Sequence, residues 1–321
     1  MEEENMKKKL ALALALVMTM SAVLTGCGGK GGKLTFTTGG ESGTYYGFGT
    51  NLAGQISDKT KTTVTAIVGK GSKANIELMD LGDAQLGFVQ SDVMAYAYNG
   101  ERLFEKKIES FSTVAALYME QVQIVTLDPT IKSVADLKGK NVSVGESGSG
   151  VYFNAVDVLN AYDLDVEKDI KPTYQGFGDS ADALQDGKID AAFVVAGAPT
   201  TAITSLAASR DVYLVELDDE HIDKLIAASP YYSKNVISKD AYGLDADATT
   251  VAVGAVIIAR NDCTDDDIYN VVSGIFDSID TLGHDKKAEL NLDFAASITA
   301  VPYHPGAAKY FTEKGYTVPT K

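Results

Sequence analysis

The sequence predicts an α/β protein built from two lobes of similar design, because strand-like and helix-like segments alternate and because one pattern occurs twice. In the first copy, a strand at residues 34–38 leads into a Gly-rich turn and a helix that reaches residue 56. In the second copy, a strand at residues 141–144 leads into a similar turn and a helix at residues 151–162. Strands that alternate with helices favour an α/β sheet in each lobe.

The spacing of the two copies supports an internal repeat. Each copy continues with a second helix and then a second strand, at residues 85–89 in the first copy and 189–195 in the second. Phe88 and Phe193, one in each of these strands, lie 105 positions apart, and the Gly-rich turns are separated by the same distance. A constant offset of this kind indicates two lobes of one design.

Two further strands are expected to connect the lobes. One lies between the copies, at residues 122–127, and the other follows the second copy, at residues 251–259. Together they predict a two-strand hinge, after which a helix at residues 266–282 returns to the first lobe. The expected division is a signal peptide at 1–26, a flexible tether at 27–33, a first lobe at 34–121 and 257–321, and a second lobe at 122–256.

Composition excludes several classes of function. The chain has 321 residues, is 45% hydrophobic and carries a formal charge of -16, which disfavours binding to nucleic acid. It contains three His and two Cys, Cys27 and Cys263, so it has few of the residues that most often bind transition metals. We therefore expect no metal and no cofactor, and we interpret Cys263 as a surface residue in an acidic loop.

The N-terminus has the features of a bacterial export signal. Three lysines at residues 7–9 precede an apolar run at residues 10–24, which is shorter than the roughly 18–20 residues of a membrane-spanning helix. The run ends in Leu-Thr-Gly-Cys, which resembles the lipobox and makes Cys27 the expected lipidation site. The expected location is the outer face of the cell membrane, held by a lipid anchor. An uncleaved anchor with an incidental Cys stays open as an alternative.

An ordered set of short motifs resembles one known family. They are Ser-Gly-Thr-Tyr-Tyr at 42–46, Val-Gln-Ser-Asp at 89–92, Ser-Val-Ala-Asp-Leu-Lys-Gly-Lys at 133–140, Gly-Ser-Gly at 148–150, Val-Val-Ala-Gly-Ala-Pro-Thr at 194–200 and His-Pro-Gly-Ala at 304–307. The set is similar to the TAXI family, the TRAP-associated extracytoplasmic immunogenic solute-binding proteins. The resemblance implies a type II periplasmic-binding fold, a TRAP-type permease as partner, and a small organic acid or an amino acid such as glutamate as ligand. A monomer without enzymatic activity is expected.

Aligned by these motifs, the ligand-binding loops contain glycines and small polar side chains. Glycines let the backbone approach a ligand, and helix N-termini offer free N–H groups and a favourable dipole to an anion. We therefore expect two helix N-termini, one from each lobe, to face one cleft and hold a carboxylate. The expected contacts are Gly43, Thr44, Tyr45, Gly71, Ser72, Asn75, Gln90, Ser91, Asp92, Ser147, Gly148, Ser149, Gly150, Asn154, Gly197, Pro199 and Thr200.

Some roles stay open at this stage. Tyr45 and Tyr46 either line the cleft or pack in the core behind it. Asp92 either caps the helix that follows it or faces the ligand, where it would suit an ammonium group. None of the three arginines falls in the expected loops, so an arginine clamp on the carboxylate is not expected.

Two other functions compete with solute delivery to a TRAP permease. A hydrolase needs Gly-x-Ser-x-Gly, and the sequence has Ser149 where the last Gly would stand. A dinucleotide fingerprint fails because position 153 is Phe. A binding protein for an ABC-type transporter, or a sensor, stays open, since nothing inside the chain separates it from a TRAP partner.

Overall fold

The computed structural model describes residues 31–321, so the expected signal peptide, Cys27 and most of the tether lie outside the described residues. The α-helices are α1 (Thr44–Lys59), α2 (Ser72–Leu81), α3 (Ser91–Asn99), α4 (Gly150–Ala161), α5 (Phe177–Gln185), α6 (Thr201–Ala207), α7 (Asp219–Ala228), α8 (Asp265–Phe276), α9 (Leu292–Ala295) and α10 (Pro305–Glu313). The strands are β1 (Lys33–Thr37), β2 (Thr63–Ile67), β3 (Leu86–Gln90), β4 (Phe111–Thr126), β5 (Asn141–Ser143), β6 (Lys171–Thr173), β7 (Ala191–Ala196), β8 (Tyr213–Leu214), β9 (Ser233–Ile237) and β10 (Ala248–Arg260). Within this range, no helix is both long enough and apolar enough to cross a bilayer.

The strands form one path in the order β2-β1-β3-β10-β4-β7-β5-β6, with β8 beside β4 and β9 beside β10. In the first lobe β1 pairs in parallel with both β2 and β3, and in the second lobe β5 pairs in parallel with both β6 and β7. Parallel strands require crossover connections, which the helices between them supply. Each lobe thus repeats the same strand–helix unit.

The long antiparallel strands β4 and β10 pass through both lobes. They pair with each other from Phe111 opposite Arg260 to Gln121 opposite Ala252. On β4, residues 121–126 pair with β7 of the second lobe. On β10, residues 255–259 pair with β3 of the first lobe, and residues 248–252 pair with β9. The change of partner near residues 120 and 253 makes this pair the hinge.

Apolar residues fill both faces of the sheet in each lobe, because successive side chains on a strand point to opposite faces. On β3, Phe88 joins the cluster under α1 and α8, whereas its neighbour Val89 joins the cluster under α2 and α3. On β7, Phe193 joins the cluster under α4, and Val194 joins the cluster under α6. Both lobes are therefore covered by helices on two sides, as expected for parallel strands.

Two elements differ from the sequence-based expectation. The first hinge strand was expected at residues 122–127, but β4 begins at Phe111, and residues 111–118 are all buried. The helix expected at residues 266–282 ends at Phe276 and is followed by a short 3₁₀ turn at Ile279–Thr281. Ile279 still packs against the core, so its spacing reports burial without a continuous helix.

Candidate functional site

Each of six parallel strands is followed at its carboxyl end by a helix, and the segments that join strand to helix meet between the lobes. In the first lobe, β1, β2 and β3 lead into α1, α2 and α3; in the second lobe, β5, β6 and β7 lead into α4, α5 and α6. The starts of α2 and α5 are 105 residues apart, as are the starts of β3 and β7. In open α/β sheets a ligand binds beyond the carboxyl ends of the strands, so this crevice is the candidate site.

The helices at the crevice differ from the others in how they begin. The six helices α1–α6 have no side-chain hydrogen bond at their N-cap residues, which are Gly43, Gly71, Gln90, Ser149, Gly176 and Thr200. The four helices α7–α10 are each capped by a side chain, from Asp218, Thr264, Asn291 and His304. A side-chain cap satisfies one of the free N–H groups of the first helical turn. The uncapped helices lack this side-chain partner, although one N–H group in the first turn of α2 and one in the first turn of α6 donate to backbone carbonyls instead.

Four of the six uncapped helices place both their N-cap residue and their first helical residue in the lining of one cleft of about 570 Å³, a volume that includes its open mouth, and α3 contributes only its N-cap residue, Gln90. The four are α1 and α2 in the first lobe and α4 and α5 in the second. Each helix adds a partial positive charge at its N-terminus, and the convergence of four favours an anionic group. The sequence predicted two facing N-termini; the structure brings four together.

The lobes are closed on each other around this cleft. The Thr44 hydroxyl donates to the carbonyl of Gly197 at 2.9 Å, and the Ala202 N–H donates to the carbonyl of Ser42 at 3.1 Å. On the other side, the Ala74 N–H donates to the carbonyl of Gly148 at 3.0 Å. These hydrogen bonds join the two lobes through the same Gly-rich loops that line the cleft. Opening the cleft must break them.

A buried carboxyl lies in the lining of the cleft, at the point where β4 passes between the lobes. The Tyr45 hydroxyl donates to Oε2 of Glu120 at 2.7 Å, and the ring of Tyr45 stacks on Phe88 with 4.6 Å between ring centroids. Burial raises the pKa of Glu120 to about 8, against the lowering effect of the Tyr45 hydroxyl. Burial likewise raises the pKa of the Tyr45 hydroxyl well above its ordinary value. Tyr45 thus packs in the core and lines the cleft at once.

A second polar cluster joins the lobes behind the cleft. The Asn154 amide donates to Oδ2 of Asp92 at 3.0 Å and to the Tyr232 hydroxyl at 2.7 Å. The Arg102 guanidinium forms an ion pair with Asp157 at 2.7 Å. Burial raises the pKa of Asp92 to about 7, against its hydrogen bonds from backbone and from Asn154. These residues bind each other across the interface and do not face the cleft.

The structure places eight of the seventeen expected contacts in the cleft lining. They are Gly43, Thr44, Tyr45, Gly71, Ser72, Gln90, Ser149 and Gly150. The other nine lie outside the lining, and they are Asn75, Ser91, Asp92, Ser147, Gly148, Asn154, Gly197, Pro199 and Thr200. Tyr46, for which both roles were left open, is also outside it.

Three of the residues outside the lining hydrogen-bond to backbone groups. Asn75 is buried, and its amide donates to the carbonyls of Thr38 and Phe88 at 2.6 and 2.8 Å. The Thr200 hydroxyl donates to the carbonyl of Gly197 at 3.2 Å. The Ser91 hydroxyl accepts from the Gly254 N–H at 3.0 Å. Small polar residues in such loops serve the backbone as often as a ligand, which the sequence pattern does not distinguish.

Several lining residues were not expected from the sequence. Gly176 and Phe177 begin α5 and lie 105 positions after Gly71 and Ser72, so the repeat offset itself contained the signal. Glu120 was missed because it belongs to a strand rather than a loop. The sequence feature that could have indicated it is an acidic residue within a largely apolar segment that forms a buried strand. The further lining residues are Gly39, Gly40, Ser42, Lys70, Glu146, Val151, Val195 and Ala196.

The charged groups of the lining are few. Lys70 is exposed at the mouth, with its Nζ 3.7 Å from Oε1 of Glu146. All three arginines of the chain belong to the described residues and lie outside the lining.

Comparison with known proteins identifies the family. A model of the NMT1-like family matches residues 36–315, which is most of the chain. The chain belongs to the NMT1-like family.

Three solved structures share the fold of this NMT1-like protein at low sequence identity. The alkanesulfonate-binding protein SsuA of Xanthomonas axonopodis pv. citri, bound to MOPS, is 14% identical with a TM-score of 0.50 and covers 87% of this chain and 83% of its own. MatC of Rhodopseudomonas palustris with bound malate is 12% identical with a TM-score of 0.53, over 80% and 86%. An ancestral arginine-binding protein bound to arginine is 16% identical with a TM-score of 0.51, over 81% and 98%. The predicted two-lobe fold of the periplasmic-binding class, with its two-strand hinge, is confirmed.

Proposed function

We propose that this protein is an extracytoplasmic solute-binding protein that captures a small carboxylate-bearing solute between its lobes and delivers it to a membrane transporter. Within the NMT1-like family it would be a member of the TAXI group, and its transporter a TRAP-type permease. The motifs that resemble the TAXI family carry this finer assignment. The solved neighbours bind chemically different ligands in the same fold. One is an alkanesulfonate-binding protein, one is a complex with malate, and one is a complex with arginine.

The observation that supports the proposal most is the division between capped and uncapped helices. All four helices away from the crevice carry a side-chain cap, and none of the six at the crevice does. The uncapped helix N-termini belong to both lobes. Their N–H groups can therefore donate to one carboxylate only while the lobes are closed. A ligand shifts the open–closed equilibrium through the contacts that it makes in the closed state. Closure of the lobes then distinguishes the ligand-bound protein from the empty one for a transporter.

A thermal-shift screen tests this proposal. The purified protein is heated with each of a set of amino acids, 2-hydroxy acids and dicarboxylates, and its Tm is recorded. A solute present at about 100 times its Kd adds about 2.7 kcal/mol to the free energy of unfolding. For a chain of this size we expect a rise in Tm of several degrees. If none of these carboxylates raises the Tm, carboxylate capture is the wrong function.

We also propose that residues 1–26 are removed and that Cys27 carries the lipid anchor, with residues 27–33 as the tether to a first lobe at 34–121 and 257–321 and a second lobe at 122–256. Each buried CH₂ of an acyl chain contributes about 0.8 kcal/mol, so two or more chains hold the protein at the membrane. Changing Cys27 to Ala should move the protein from the membrane fraction to the soluble fraction when cells are fractionated. A Cys27→Ala protein that stays with the membrane would contradict lipidation.

An ABC-type transporter or a sensor is the alternative partner. The cleft geometry is the same for each of these partners, so the choice depends on the genes beside this one. A neighbouring gene for a fused TRAP permease would support the TRAP assignment, whereas genes for an ATPase and its permease would replace it.

A further inference from the structure

The lining of the cleft is divided between hydrogen-bond donors and hydrogen-bond acceptors. The donors are the N–H groups at the starts of α1, α2, α4 and α5. The acceptors are side-chain oxygens of Glu120, Gln90 and Ser149, three residues that belong to the lining. A ligand that fits both parts must carry an anionic group and also a group that donates several hydrogen bonds.

The acceptors are deeply buried and incompletely paired. Glu120 and Gln90 are each 2% exposed, and Ser149 is 6% exposed. Within residues 31–321, the Gln90 Oε1 and the Ser149 Oγ have no hydrogen-bond partner. A buried polar atom without a partner is energetically unfavourable, so such atoms beside a cleft indicate where a ligand group belongs.

The carboxyl of Glu120 accepts from the Tyr45 hydroxyl and interacts with the side-chain amide of Gln90, but it has no ion-pair partner within 4.0 Å among the described residues. Lys286 is the nearby cation that lowers its pKa, but the Lys286 Nζ is bound to the carbonyl of Ala198 and to Glu289. Asp92 acts in the opposite direction and raises its pKa. Apart from the lysine at the mouth, the lining as described therefore has no cation that could pair with Glu120 in its ionised form. An ammonium group on the ligand would fill that role with three N–H donors.

We propose that Glu120, together with the amide oxygen of Gln90, binds the ammonium group of an α-amino acid whose carboxylate is held by the uncapped helix N-termini. This assignment rests on the proposed function and narrows its ligand to the zwitterionic class. Asp92, for which the sequence left open a role beside an ammonium group, accepts instead from the Asn154 amide outside the cleft. Glu120 takes the role because it lies in the lining.

The assignment predicts a proton balance. Burial raises the pKa of Glu120 to about 8, so at pH 7 the carboxyl of the ligand-free closed form holds a proton. An arriving ammonium group favours the ionised carboxylate and lowers that pKa, and the proton passes to the buffer. Amino-acid binding to this closed form at pH 7 should therefore release up to one proton per protein. A dicarboxylate bound at the same place would release none.

The experiment compares L-amino acids with the matching 2-hydroxy acids, which differ only in the amine. Affinities are measured by calorimetry at pH 7 in two buffers of different ionisation enthalpy, for the unchanged protein and for Glu120→Gln. The amide of Gln can still accept from the Tyr45 hydroxyl, so the ligand-free Tm should change little. Glu105→Gln, at an exposed position, is the control for the loss of one negative charge.

In the unchanged protein, the best amino acid should bind about 100-fold or more tightly than its hydroxy acid, the scale of removing one partner of a buried charge pair. Glu120→Gln should lose this preference and the proton release, and Glu105→Gln should keep both. If hydroxy acids or dicarboxylates bind as well as amino acids, Glu120 does not bind an ammonium group, although the proposed function stands. If no carboxylate of any class binds, both proposals fail.

Discussion

Replacing Gly150 with alanine should weaken solute binding by about tenfold to a hundredfold without lowering the stability of the ligand-free protein. Gly150 is the first residue of α4 in the second lobe, and the amide oxygen of Gln90 in the first lobe occupies the space that its Cβ would fill. The Ser72 hydroxyl lies 2.8 Å from the same position. The new methyl group overlaps these atoms only when the lobes are closed, so it shifts the equilibrium toward the open form.

Gly54→Ala is the matched control for this prediction. Gly54 is an exposed residue of α1, and a Cβ there meets no atom within 4 Å. Alanine in a helix is favoured over glycine by about 1 kcal/mol, so this variant should bind normally and be slightly more stable. Isothermal calorimetry gives the affinities, and small-angle scattering with and without solute reports closure. Normal closure and affinity in Gly150→Ala would mean that the close approach of Gly150 to Gln90 is not required for binding.

Replacing Phe88 with alanine should lower the free energy of unfolding by about 3–5 kcal/mol. Phe88 is fully buried on β3, and its ring lies 4.9 Å from that of Phe36 and 4.6 Å from that of Tyr45. Removing the ring leaves a cavity beneath the cleft and frees the Tyr45 ring that supports Glu120. We therefore expect weaker solute binding as well as lower stability.

Denaturant unfolding measures the effect of Phe88→Ala, with Leu81→Ala as the control. Leu81 is the last residue of α2 and is 78% exposed, so its truncation should change the free energy of unfolding by less than about 0.5 kcal/mol. Equal effects of the two variants would contradict the core assigned to Phe88. A stability loss without any loss of affinity would show that Tyr45 does not need the Phe88 ring.

Much of the fold could be predicted because the sequence contains an internal repeat, so the elements assigned in one half supported the assignment of those in the other half. The turn and helix at the start of one copy predicted those of the second, and the offset of 105 residues recurs in the starts of α2 and α5. Residues 111–121 of β4 were not predicted to be a strand, because buried strands in the middle of a sheet show no alternation of polar and apolar residues. The end of α8 was misplaced because apolar spacing continues into Ile279 after the helix stops.

The site could be predicted only where it is local in sequence. Gly43, Gly71 and Gly150 precede or begin helices at strand ends, and each lines the cleft. Glu120 could not be assigned from its neighbours in sequence, because its role depends on two strands that cross between lobes. Asn154 looked like a ligand contact at the start of α4, but its amide is bound to Asp92 and Tyr232. Burial and pairing decide such cases, and both are tertiary properties.

A crystal structure with the most stabilising amino acid of the thermal-shift screen tests the central claim most directly. The expected result is a ligand between the lobes, with its carboxylate within hydrogen-bond distance of N–H groups at the starts of α1 and α4 and its ammonium group on Glu120. The contrary result is a ligand bound elsewhere, or one whose carboxylate is held by side chains while these N–H groups face solvent. That outcome would remove the uncapped helices from the account of binding.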